Sequence, residues 1–85
     1  MLYSVQFTPR AQRDLTALDR PIQQRLRRHI DRLAEDPIPV GAKKLHAEER
    51  FYRIRVGHYR IIYQVEANEL VVIVVKIGHR REVYR

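Results

Sequence analysis

The chain has 85 residues, no cysteine and a formal charge of +7, from 17 Lys and Arg against 10 Asp and Glu. That length suits a single domain, residues 1–85, with a modest core and an open groove instead of a deep pocket. The lack of cysteine excludes disulfides, thiolate metal sites and a cysteine nucleophile. Only Lys43, Lys44 and Lys76 among the cations are lysine. So strong an arginine bias suits an anionic partner gripped by planar donor forks, or reflects a GC-rich genome.

Taken in order, LYSVQF at 2–7 alternates as a first strand. Thr8 and Pro9 form a helix start, a capping hydroxyl followed by a residue tolerated at the first helical position. Ala11, Leu15 and Leu18 continue at helical spacing. Asp19 can cap a second helix to about Glu35, whose apolar stripe is Ile22, Leu26, Ile30 and Leu33. Pro37 ends it. Two prolines, Gly41 and mixed charges make 37–50 a loop. LVVIVV at 70–75 is too short to cross a bilayer, and MLYSVQFTPR has no signal-type apolar stretch. A cytoplasmic protein with no membrane partner is expected.

FYRIRVGHYRIIYQV at 51–65 reads as a hairpin turning at Gly57 and His58, where glycine at the first central position suits a type II′ turn. Counting outward pairs Val56 with Tyr59, Arg55 with Arg60, Ile54 with Ile61 and Arg53 with Ile62. Alternation then puts Tyr52, Ile54, Val56, Tyr59, Ile61 and Tyr63 on one face and Arg53, Arg55 and Arg60 on the other. EANE at 66–69 is a turn, and 70–77 a strand apolar on both faces, as for a strand inside a sheet. The order βααβββ predicts an α+β fold, a two-helix hairpin on one face of a mostly antiparallel sheet.

Three guanidiniums on one face repel, and phosphate oxygens are the simplest compensation. The plainer reading is a wet sheet face kept soluble. GHRREVYR at 78–85 adds an imidazole, more phosphate donors and a ring able to stack on a base. Arg25, Arg28 and Arg32 read as a solvated helix side, with Asp31 and Glu35 placed to pair with Arg27, Arg28 or Arg32. His29, His46, His58 and His79 lack metal-ligand spacing, and no metal or cofactor is expected. Ser4 is the only serine, and Gly41, Gly57 and Gly78 are too scattered for a phosphate-binding loop.

VQFTPRAQRDL, KKLHAEERFYRIRVGHYRIIYQV and VVIVVKIGHRREVYR together resemble the RelE side of the RelE/ParE toxin superfamily over nearly the whole chain. The resemblance implies a βααβββ fold, ribosome-dependent cleavage of mRNA in the A site, and inhibition by a cognate antitoxin. Its partners would thus be an antitoxin, the 70S ribosome and mRNA. It implies that Arg60 stabilises the transition state, that Arg80 is the C-terminal catalytic arginine with Arg81 as its alternative, and that Tyr84 stacks on the substrate. Arg53 and Arg55 fall where the best-known member has lysines. An arginine does not readily accept a proton, so these two are assigned to electrostatic stabilisation. The general base is left open, with His79 and His58 as candidates, Tyr84 another by chemistry and Glu82 a weaker one. Lys43, Lys44 and Arg85 are expected to bind substrate. The rival readings are a ParE-like inhibitor of DNA gyrase and a basic nucleic-acid-binding module.

Overall fold

A computed structural model describes residues 2–45 and 50–79. Over these the chain forms β1 (Ser4–Phe7), α1 (Pro9–Thr16), α2 (Arg20–Arg32), β2 (Lys43–Lys44), β3 (Phe51–Val56), β4 (Tyr59–Glu66) and β5 (Val71–His79). The strands make one sheet in the order β1-β5-β4-β3-β2. Only β1 and β5 run parallel. The α+β, mostly antiparallel expectation therefore holds, with one correction in the expected loop. There Lys43 and Lys44 pair with Arg53 and Tyr52 as a two-residue edge strand. So short and charged a strand carries no apolar alternation to reveal it, and it blunts the sheet edge.

Local chemistry sets the helix ends. Thr8 Oγ1 accepts the amide of Ala11 at 3.1 Å, and Pro9 follows inside the first turn. α1 stops at Thr16, and the side chain of Gln23 donates to the carbonyl of Leu18 at 2.7 Å, tying the short connection together. Asp19 occupies the cap position of α2 but makes no side-chain cap bond, contrary to expectation. α2 gives way after Arg32 to turns, with Asp36 N–H still reaching the Arg32 carbonyl at 3.0 Å. Among the described residues neither Asp31 nor Glu35 pairs with Arg27, Arg28 or Arg32. Of the helical cations, Arg10 pairs with Asp14 at 3.7 Å. His29 is held below its ordinary pKa by partial burial and then by the charges of Arg32, Arg25 and Arg28.

Both apolar stripes meet one sheet face. Ala11, Leu15, Leu26, Ile30 and Leu33 form a single buried cluster with Ile54, Val56, Ile61, Tyr63, Val65, Val72, Val74 and Ile77, while Leu18 and Ile22 pack at its margin. Tyr63 has a polar tip inside this core, and its hydroxyl donates to the Pro37 carbonyl at 2.7 Å, anchoring the chain beyond α2. Burial, then Tyr52 and Asp36, raise its pKa far above the ordinary phenol value. The 57–58 turn matches expectation: Gly57 has φ +59°, and His58 is not in the left-handed region, the pattern of type II′.

The feature absent from the sequence reading lies in β5. Tyr63 pairs with Val74 but Ile62 pairs with Lys76, so Val75 is an extra residue, a β-bulge. Strict alternation from the buried Val72 and Val74 would drive Lys76 into the core. The bulge turns Ile77 inward and sends Lys76 and Gly78 to the opposite face. α1 supplies the irregular backbone with partners. Thr8 Oγ1 donates to the Val75 carbonyl at 3.1 Å, and Asp14 Oδ2 accepts the Ile77 amide, also at 3.1 Å.

Thr8→Ala removes a helix cap and the partner of the bulged carbonyl together. It is expected to destabilise the protein by about 0.5–2 kcal/mol, measured as a lower urea midpoint with unchanged slope. No change in midpoint would mean that the hydroxyl does not hold the bulge.

Candidate functional site

The hairpin register defines the helix-free face. Across the sheet one row reads Lys43, Arg53, Ile62, Lys76, and the next reads Arg55, Arg60, Gly78. Directly paired residues have Cβ atoms about 4.5–5.5 Å apart. Arg53, Arg55 and Arg60 therefore share one surface, as alternation predicted, and Lys43 lies beside Arg53. Lys76 and Gly78 join them only because of the bulge.

Exposure differs sharply along these rows. Arg60 is 1 % exposed and Arg53 7 %, whereas Arg55 is exposed. Among the described residues neither Arg53 nor Arg55 has a carboxylate within ion-pair distance, nor does Lys76. Glu66, at the far end of β4, is already paired with Arg50 at 2.9 Å and accepts a hydrogen bond from Gln64. Burial and then the neighbouring charge of Arg55 push the Arg53 guanidinium below its ordinary pKa. Lowered dielectric strengthens the attraction of such groups for an anion, and like charges held together make that anion more welcome.

Other expected site residues fall elsewhere. Lys44 pairs with Tyr52, so the period of two places it on the helix side, away from Lys43. His79 pairs with Tyr59, also on the helix side. Its ring lies parallel to that of His58, 6.0 Å between centroids and 11° between planes, and edge-on to Tyr59 at 5.7 Å. With Ile22, Arg25, Leu26 and Val56 these residues line a cleft of about 270 Å³. The guanidinium of Arg25 lies over Gly57, 3.2 Å from where a Cβ would stand. The two imidazoles thus occupy the rim of the sheet, behind the arginine rows. Arg80, Arg81, Glu82, Tyr84 and Arg85 lie outside the described residues, as does His46. Sequence reasoning passed over Lys76, because an apolar run on both faces gives no clue to which way a following lysine points.

A family model described as the ParE toxin of type II toxin-antitoxin systems matches residues 5–84. The chain is 29% identical to toxin RelG of Mycobacterium tuberculosis, over 100% of this chain and 99% of that protein. It is 31% identical to the mRNA interferase toxin RelE of Escherichia coli, over 99% of this chain and 92% of that protein. Among solved structures it is similar to the archaeal RelE–RelB complex from Pyrococcus horikoshii, with TM-score 0.84 and 28% identity over 96% of this chain and 99% of that one. The E. coli RelBE toxin-antitoxin complex is similar with TM-score 0.80 and 28% identity, covering 91% and 95%.

The paired arginines predict opposite effects on stability and on activity. Arg55→Thr removes a like charge directly opposite Arg60 and introduces a good strand former. It is expected to raise stability by about 0.2–1 kcal/mol, read from the urea midpoint, while lowering whatever activity the face supports. A destabilised variant would show that Arg55 is held by favourable contacts and not by a functional requirement.

Proposed function

The chain belongs to the RelE/ParE superfamily of type II toxin-antitoxin toxins, and from that footing we propose that it is an mRNA interferase, cutting mRNA in the ribosomal A site. The single observation that carries this reading is the concentration of Arg53, Arg55 and Arg60 on the helix-free face. The naming of the E. coli relative as an mRNA interferase supports it. A cognate antitoxin is the natural partner, since similar chains were solved bound to RelB.

In the proposed reaction the ribose 2′-oxygen attacks the adjacent phosphorus in line. Its proton passes to a base, the bond to the 5′-oxygen breaks, and that oxygen takes up a proton. The products are a 2′,3′-cyclic phosphate and a 5′-hydroxyl. Arg53, Arg55 and Arg60 stabilise the charge growing on the phosphorane oxygens. Arg80, or Arg81 in its place, joins them, and Tyr84 stacks on the nucleotide. Lys43 and Arg85 hold the neighbouring backbone. Arg60, at 1 % exposure, meets substrate only once the groups that cover it give way. His79 directly follows Gly78, the neighbour of Arg60, so an imidazole acting as base does so from the rim. An open face cannot orient RNA by enclosing it. The ribosome supplies that orientation, which is worth several orders of magnitude in rate.

The match to a ParE family model favours a second reading, a gyrase inhibitor built on the same fold. Induced expression followed by mapping of mRNA 5′ ends separates the two. The interferase reading predicts cuts on translated messages only, reduced about a hundred- to a thousandfold by Arg60→Ala. Intact messages accompanied by a gyrase-linked DNA damage response would establish the second reading.

A further inference from the structure

We infer that Lys76 is a phosphate-binding residue of the same site, gripping the RNA backbone beside the scissile link. This rests on the interferase reading and adds to it a residue that the hairpin and the tail do not contain.

The bulge at Val75 carries the inference. It sets Lys76 opposite Ile62 and Gly78 opposite Arg60, so Lys76 is a diagonal neighbour of Arg60 on the same face. Such diagonal neighbours lie about 7–8 Å apart, within reach of long side chains. Between Lys76 and the end of β5 the face carries only Gly78, which has no side chain to obstruct a ribose-phosphate chain crossing from Arg60 toward Lys76. The bulge itself is fastened by Thr8 and Asp14, so the direction of Lys76 is not left to chance.

Charge balance points the same way. Lys76 is half-buried, just past the stretch of β5 that pairs with β1, and among the described residues it has no carboxylate partner. A lysine kept solely for solubility is ordinarily exposed to water along its whole length, and Lys76 is not. Here it adds a cation beside Arg53 and Arg55, which among the described residues also have no carboxylate in ion-pair reach, so an anion is welcome there. A single backbone phosphate next to the one being cut, placed between Lys76 and Arg60, meets that need. A point charge on a flexible stem suits such holding, in contrast to the planar forks around the reacting phosphorus.

The test measures cleavage of ribosome-bound mRNA by wild type, Lys76→Ala, Lys76→Arg and, as a control for lost net charge, Arg13→Ala on the exposed side of α1. Urea midpoints are followed to monitor folding. Lys76→Ala is expected to lower kcat/KM roughly tenfold and to flatten its logarithmic dependence on salt by about 0.7–1. Lys76→Arg is expected to stay within about threefold of wild type and keep the salt slope, and Arg13→Ala to match wild type. Cleavage by wild type with Lys76→Ala unimpaired, or with Lys76→Arg as defective as Lys76→Ala, overturns the role of Lys76 alone. Loss of activity in Lys76→Ala with an unchanged salt slope also overturns it, because a packing defect does not alter counterion release. Absence of cleavage by wild type overturns the interferase reading and this inference with it.

Discussion

One irregular peptide in β5 decides whether Lys76 joins the cationic face that the hairpin register builds. β1 ends at Phe7, and beyond it, among the described residues, no strand lies beside the outer edge of β5. The backbone groups there need partners, since buried amides and carbonyls are rarely left unmade. α1 provides them: the Thr8 hydroxyl takes the Val75 carbonyl and the Asp14 carboxylate takes the Ile77 amide. Both residues also belong to their own helix, Thr8 as its cap and Asp14 as the partner of Arg10. The start of the first helix and the composition of the opposite sheet face are therefore linked through two hydrogen bonds. A slip of one residue there would bury Lys76 and expose Ile77.

The face built this way is electrostatically costly. Arg55 stands opposite Arg60, and Arg53 lies largely out of water with its guanidinium already biased against carrying charge. The core on the other side, continuous from Ala11 and Leu15 through Ile61, Tyr63 and Val74, offsets that tension. The sheet thus has a division of labour between its faces. One holds the fold together, and the other gathers the cations that the proposed reading matches to a polyanion. This is the physical content of the proposed interferase site, and it explains why an open surface suffices: the substrate's own charge completes it.

Much of this could be read from residue order. Gly57 and His58 between two alternating runs set the hairpin register, because only a tight turn with positive φ at its first central position keeps the apolar residues in phase. The helical stripes were equally plain, with Leu26, Ile30 and Leu33 at spacings that admit one buried side. What escaped was decided by contacts distant in sequence. Val71 to Val75 are apolar whichever way they point, so nothing local signals the bulge or the side on which Lys76 emerges. Lys43 and Lys44 look alike in the sequence, yet the edge pairing sends them to opposite faces. His79 adjoins the expected catalytic arginine in sequence, yet it follows its strand onto the helix side and stacks with His58.

The most direct measurement of the central claim is the pairing of β4 with β5 in solution, from cross-strand backbone NOEs in the isotope-labelled protein. Contacts linking Ile62 with Lys76 and Arg60 with Gly78, together with Tyr63 against Val74, are the expected pattern. Contacts linking Ile62 with Val75 and Arg60 with Ile77 would remove the bulge, return Lys76 to the helix side and contradict the account.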